Sequence, residues 1–583
     1  MRMLKRVCLA LVIMSAANPV SAAEQRAAMD DSDSHLDKTV DDFTLPTHRG
    51  VSWKLSDQSA ARYVVVAFLG TECPLAKLYG PRLNELAEEF ADDKVVFVGI
   101  NSNTQDSISE LTQYVAQHKL GFALLKDLEN RVADRFGAER TPEVFVLDAQ
   151  RRVCYHGRID DQYGVGTARD KAQRHDLAEA LRQLVAGEEV SVRETEAVGC
   201  IIGRVRRQVP TGDITYSGQI AAIFNRRCVE CHRAGEVAPF SLESYDDIVG
   251  WEDMIVEVVQ DQRMPPWYAS PEHGHFRNDA RLTDEEKQLI YQWVENGIPA
   301  GDLEALPTAP DFADGWRMPE PHQVVKMSDE EVAVPADGVV DYQYFVVDPH
   351  WAEDRYLCAA EARPGNRAVV HHIIVYLLPP GVKRLDENRV MLAGYAPGAQ
   401  PYVLPAGLAA HVPAGSKLVF EMHYTPNGSP QTDLSYVGFR FTDKESVKHL
   451  LRGRAAVNQK FEIPAGADDH AVVAHYTSRV DEKLLRMTPH MHLRGKSFRY
   501  EARFPDGTKE VLLDVPKYDF NWQLSYELAE PKLLPKGTRV VCTARYDNSA
   551  DNPFNPDPTV AVRWGDQSWH EMMIGFFDVI PEP

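Results

Sequence analysis

Hydrophobic and polar positions follow three different rhythms along this chain. From about residue 36 to 195, apolar runs alternate with helical patterns. Arg62–Leu69 (RYVVVAFL) and Lys94–Ile100 (KVVFVGI) are unbroken apolar runs of the kind found in strands buried on both faces, whereas Leu83–Phe90 is helical. Glu143–Leu147 (EVFVL), directly after Thr141-Pro142, supplies a further strand, so the spacing predicts an α/β domain. Over 208–302 the signals are helical: Gly218–Arg227, the apolar spacing of Leu242–Gln260, and a helix opened by a Thr283/Glu286 capping box and closed at Gly297. A small all-α module is expected there. Residues 303–324, acidic and rich in proline, read as a linker. Beyond them, short alternating runs such as Val369–Leu378, Lys417–His423 and Ser497–Phe504 are separated by Pro-Gly, Asn-Gly and Asp-Gly turns. This all-β half predicts two sandwiches, over 325–445 and 446–583.

Length agrees with several modules, since 583 residues exceed a single core at roughly 150 residues per domain. A formal net charge of −23 argues against a nucleic-acid partner. At the N-terminus Arg2, Lys5 and Arg6 precede the apolar run Val7–Met14, and Val20-Ser21-Ala22 offers small residues for cleavage. A cleaved signal peptide over 1–22 and a periplasmic or secreted location are therefore expected. No other segment provides the ~20 apolar residues of a membrane span, so no stable membrane insertion is expected.

Eight cysteines are too few and too scattered for a disulfide scaffold, which directs attention to their chemistry. Cys73 ends a strand just before a helix, in Gly70-Thr71-Glu72-Cys73-Pro74, where the helix N-terminus stabilises a thiolate. The strand, the cysteine turn and the later Thr141-Pro142 resemble a thioredoxin-like or redoxin domain. That resemblance implies a cis Pro142 facing Cys73. Ala76 stands where a thioredoxin has its second cysteine, and Gly70 where a peroxiredoxin has threonine. A CxxC disulfide is thus ruled out, and Cys154 or Cys200 is left as a resolving partner, unless the domain serves only for docking. Cys358 and Cys542 are open between a disulfide and free thiols.

Cys228-Val229-Glu230-Cys231-His232 has the spacing for covalent attachment of one c-type haem, with His232 an axial ligand. Met264, in Arg263-Met264-Pro265-Pro266, resembles the methionine loop of class I cytochromes c and is the expected sixth ligand, with Met254 read as a core residue.

In the all-β half, histidine and methionine recur in four places: His371-His372, Met422-His423-Tyr424, His490-Met491-His492 and His570-Glu571-Met572-Met573. Residues i and i+2 of a strand share a face, so His490 and His492 reach one metal together. His371 and His372 point oppositely on a regular strand, and joint ligation requires a bulge or a strand end. Imidazole with thioether suits copper. The order of these motifs resembles the type II copper monooxygenases, such as peptidylglycine α-hydroxylating and dopamine β-monooxygenases. The resemblance implies two copper ions. His371, His372 and His423 would hold the electron-transfer copper. His490, His492 and Met572, with Met573 as fallback, would hold the one that binds O2. His411, His475 and His570 match no ligand motif. The implied activity is hydroxylation of a C–H bond in a small-molecule or peptide substrate, with electrons passed from an external donor through the haem. The alternative is a copper-binding electron-transfer or thiol-disulfide redox protein without oxygenase activity.

Overall fold

The computed structural model describes residues 35–169, 171–312, 315–383, 390–396 and 400–582. The expected signal peptide lies outside the described residues. Among the described residues no helix is long and apolar enough to cross a membrane.

The N-terminal domain is built on a five-stranded sheet. Tyr63–Phe68 lies at its centre, parallel to Val95–Asn101 and antiparallel to Glu143–Asp148. Val64 to Leu69 are all buried because helices cover both faces, which is why the run is apolar without alternation. The helix Pro74–Glu89 starts where that strand ends, with Cys73 at its N-cap and Pro74 in the first turn, where the missing N–H costs nothing. The domain extends beyond the expected end at 195. Residues 198–205 return along it, and Cys200–Ile201 pairs antiparallel with Arg140–Thr141.

The middle module contains the expected helices in shorter pieces. Leu242–Gln260 divides into Tyr245–Ile248 and Glu252–Gln260, because Gly250 takes φ +95 beside Gln105 of the N-terminal domain. The capping box at Thr283 forms as predicted, with Glu286 N–H donating to Thr283 Oγ1 and Thr283 N–H to Glu286 Oε2. The expectation of a small all-α module over 208–302 needs correction. Residues 267–278 leave the helices as an extended arm and join the last sandwich: Trp267 stacks edge-on against Tyr526 at 4.9 Å, and Phe276 bridges Leu528. Trp267, Tyr268 and Phe276 belong to that sandwich's core, an apolar burial the helices alone could not provide. The linker also docks: Met318 is buried, and Trp316 packs edge-on against Tyr436.

Two sandwiches make up the C-terminal half. The first has a six-stranded and a four-stranded sheet around one core, the second two four-stranded sheets around another. Cys358 lies in the first and Cys542 in the second; both are free thiols, so the two do not pair.

Candidate functional site

Adjacent strands Val370–Leu378 and Lys417–Tyr424 of the first sandwich place His372 opposite His423, with a register shift between Val370 and His372. The bulge turns His371 toward the side of its neighbour. His371, His372 and His423 then offer ring nitrogens that all lie within 4.8 Å of one another. His371 Nδ1 and His423 Nδ1 are 3.3 Å apart. Burial holds all three imidazoles below their ordinary range, to about 4 for His371, and the neighbouring rings add to this for His372 and His423. Neutral rings crowded this closely present lone pairs to a metal. His372 Nε2 is buried without a protein partner.

His490, at the end of Glu482–His490, and His492 just beyond it bring their rings to 5.2 Å. His492 Nε2 is likewise buried and unpartnered, and its Nδ1 lies 3.3 Å from the carbonyl oxygen of His570. Met572 is buried, and its carbonyl accepts from Tyr546 Oη at 2.7 Å. Glu571, fully buried, holds this segment against the histidine turn: its carboxylate accepts from His492 N–H at 2.8 Å and Arg494 N–H at 2.7 Å. Burial pushes the Glu571 carboxyl up to about 7 even against those two donors and the nearby Arg494 guanidinium. Replacing Glu571 by alanine strands two buried N–H groups at ~1–3 kcal/mol each. We expect a loss of about 2–6 kcal/mol in the denaturant-induced transition of the last sandwich; a change below ~0.5 kcal/mol would contradict this role. Met573 instead fills the core.

Both histidine sets face a common loop that sequence reasoning missed. The Phe520 ring lies within about 6 Å of His372, His423 and His492. Gln523, at the unusual φ of +27, approaches both sets: His490 Nδ1 is 2.8 Å from its Oε1, and His372 Nδ1 is 3.4 Å from its Nε2. Tyr342 packs on His423 at 4.9 Å. The loop is propped from the N-terminal domain, where Gly166 carbonyl accepts from Asn521 Nδ2 at 3.0 Å. Nothing local in the sequence marks these residues. His411 pairs with Asp354 at the surface and His475 is exposed, away from the cluster.

In the helical module Cys228 closes the helix Ala221–Arg227, and its thiol and that of Cys231 are pushed up by burial, to about 12 and about 11. His232 Nδ1 lies 3.1 Å from Phe240 carbonyl oxygen, which fixes the ring by one nitrogen. Phe240 stacks on Trp251 at 3.9 Å. Met254 packs against the helical core, while Met264 follows the last turn of Glu252–Gln260, with its N–H donating to Val258 carbonyl. The segment around the motif also meets the first sandwich and the linker docked on it. Glu236 pairs with Arg367, four residues before His371, and Glu230 with Arg317.

The third site is Cys73. Its Sγ donates to Thr141 carbonyl at 2.9 Å, and Thr141-Pro142 is cis, as the redoxin resemblance implies. Cys200, paired opposite Thr141, reaches the same point. Burial alone would raise the Cys73 thiol, but hydrogen bonds led by the Cys200 thiol and Ala76 N–H draw it down, while Cys200 is driven up by the Cys73 sulfur beside it. Cys154 sits on an edge strand among Asp148, Arg152 and Arg193.

Residues 36–156 match the AhpC/TSA family, so this part of the chain is a thioredoxin-like redoxin domain. The rest of the chain carries the helices and the two sandwiches described above. No curated protein matches the chain. Similar solved structures include a hypothetical protein from Sinorhizobium meliloti, 30% identical, covering 29% of this chain and 94% of its own, with a TM-score of 0.28. A peroxidoxin BcpB from Mycobacterium tuberculosis is 23% identical over 26% of this chain and 94% of its own, with a TM-score of 0.20. A secreted disulfide oxidoreductase from the same organism is 19% identical over 25% and 95%, with a TM-score of 0.19.

Proposed function

We propose that the chain is a multi-centre oxidoreductase whose β-half is a copper-dependent monooxygenase, supplied with electrons through a c-type haem on the helical module. The observation that carries this reading is the cluster of three neutral imidazoles at His371, His372 and His423, facing the His490/His492 pair across Phe520. The donor sets fit copper, because two buried ring nitrogens, His372 Nε2 and His492 Nε2, have no protein partner and face imidazole-rich surroundings. His371, His372 and His423 would hold one ion; His490, His492 and Met572 would hold the other. Cys228 and Cys231 would carry the haem, with His232 and Met264 toward its iron. When bound, copper supplies one-electron redox chemistry and activation of O2 for insertion of one oxygen atom into a C–H bond, the other leaving as water.

The chain's own residues prepare the site. Gln523 holds His490 and approaches His372, fixing the rings of both sets from one side chain. Phe520, 6% exposed, and the Tyr342 ring shield the cluster from water. Arg367, three residues before the strand that carries His371, pairs with Glu236, four residues past His232, so the modules of the two candidate centres touch there.

A second reading, a thiol-disulfide redox protein without oxygenase activity, draws on a different observation. The family match to residues 36–156 and the juxtaposed Cys73 and Cys200 favour it, and the comparisons support it more strongly than the first. Metal and haem analysis of the purified chain, combined with mass spectrometry of extracts made with and without it, separates the two. Two coppers, one haem and products heavier by one oxygen atom support the first reading. Zero or one copper, or no oxygenated product, overturns it in favour of the second.

A further inference from the structure

Beyond the end of the family match, residues 198–205 lie as a strap against the redoxin domain. Its backbone is held at successive points: Ile202 N–H donates to Glu139 carbonyl at 2.8 Å, Gly203 N–H to Asn103 Oδ1 at 3.1 Å, and Thr104 N–H to Gly203 carbonyl at 3.0 Å. Arg140 Nη1 donates to Gly199 carbonyl at 2.9 Å. The approach is so close that a Cβ at Gly199 would fall 1.9 Å from Thr141 carbonyl oxygen. Only glycine fits there. The strap therefore adds a strand beside Thr141 and delivers Cys200 to the residue whose carbonyl accepts from Cys73. Cys73 is 1% exposed, whereas Cys200 is partly exposed.

Two neighbours narrow the chemistry. A Cβ at Gly70 would come within 2.6 Å of Asn103 Nδ2, so the place of a peroxidase threonine is taken by the amide that also anchors the strap. The strap closes over Cys73, which leaves Cys200 as the more accessible sulfur. Cys200 packs against both the redoxin core and the helical module, and Arg140 beside it is paired to Glu257 of that module.

We propose that Cys73 and Cys200 form a reversible dithiol/disulfide pair, in which the strap acts as a built-in partner strand and exchange occurs with thiols and disulfides, not with hydroperoxides. This deepens the thiol-redox reading of the N-terminal domain and rests on it. In the oxidised pair an external thiolate, from a protein or a small thiol, attacks the Cys200 sulfur. The Cys73–Cys200 bond breaks and Cys73 leaves as thiolate. A second external thiolate then attacks the external sulfur of the mixed disulfide, and Cys200 leaves and takes up a proton. Two external thiols become one disulfide, and the protein disulfide becomes two protein thiols; the reverse sequence reoxidises the pair. The hydrogen bonds that favour charge on Cys73 make it the better leaving group.

The test is a redox titration of the full chain in glutathione thiol/disulfide buffers, quenched by alkylation and read by peptide mass spectrometry. We expect one Cys73–Cys200 cross-linked peptide whose fraction rises from about a tenth to about nine-tenths over a roughly hundred-fold change in the glutathione ratio, as a two-electron couple requires. Cys154 should stay alkylatable throughout. Cys200→Ser should lose the cross-link, and hydrogen peroxide at equimolar concentration should leave Cys73 of that variant unoxidised over minutes. A Cys73–Cys154 cross-link, or rapid oxidation of Cys73 by peroxide, overturns the proposal while leaving a thiol-redox domain. The absence of any titrating thiol overturns both. If the variant does not fold, the wild-type titration still separates Cys200 from Cys154, and equimolar peroxide added to the reduced wild-type chain, expected to leave Cys73 and Cys200 as thiols over minutes, takes the place of the variant's peroxide arm.

Discussion

Replacing His423 by alanine is expected to lower bound copper by one ion per chain while the other ion stays. His423 supplies one of three ring nitrogens that lie within 4.8 Å of one another, and it does so from a different strand than His371 and His372. Without it, the remaining two imidazoles share one bulge and cannot surround an ion. Loss of an outer-shell partner of a metal ligand already costs about 10–100-fold in affinity, and loss of a ligand itself costs more. His490, His492 and Met572 belong to the other sandwich, so their occupancy should hold. His411→Ala, at a surface imidazole paired to Asp354, serves as the comparison and should retain both ions. Copper per chain by mass spectrometry decides. Full occupancy in the His423 variant would remove the three-histidine assignment, and loss of both ions would show that the two sets depend on each other through the loop of Phe520 and Gln523.

That loop marks the boundary of what the sequence makes legible. The His371-His372 pair is readable because strand geometry is local: two adjacent histidines cannot share a face without an irregularity, and the register shift lies there. The redoxin strands are readable because burial on both faces leaves unbroken apolar runs. Gln523, Phe520 and Tyr342 reach the site only through tertiary packing, and neither periodicity nor composition distinguishes them from ordinary loop residues. The same holds for the arm around Trp267, whose proline-rich start resembles a ligand loop while its aromatic end supplies another domain's core. The strap was half legible. Cys200 stands out as an unassigned cysteine, but its choice over Cys154 depends on a strand pairing of only two residues on each side. Local rules specify elements; contacts made across more than a hundred residues specify which elements share a site.

Replacing both Cys228 and Cys231 by serine is expected to reduce covalently bound haem from one per chain to none, while copper per chain is unchanged. The two thiols lie in one turn after the helix Ala221–Arg227, with Cys231 N–H donating to Cys228 carbonyl at 3.1 Å, so they are held at fixed separation for one macrocycle. Serine preserves that turn and removes the sulfur, so folding of the helices around Trp293 and Phe224 should survive. Haem absorbance that persists through acid-acetone extraction reads covalent attachment directly, and its retention in the double variant would rule out the motif as the attachment site. His232→Ala separates ligation from attachment: haem should remain bound through both cysteines, but the visible spectrum should shift, because the imidazole held by Phe240 carbonyl at 3.1 Å is lost. The double variant also tests the electron path of the first reading. If electrons reach the β-half through the haem, a chain with full copper and no haem should lose hydroxylation driven by an external donor, yet recover it with a small reductant that reaches the histidine sites by itself. If the rate with the donor is unchanged, the ion pair between Glu236 and Arg367 is a structural contact between modules and electrons enter the sandwiches by another path.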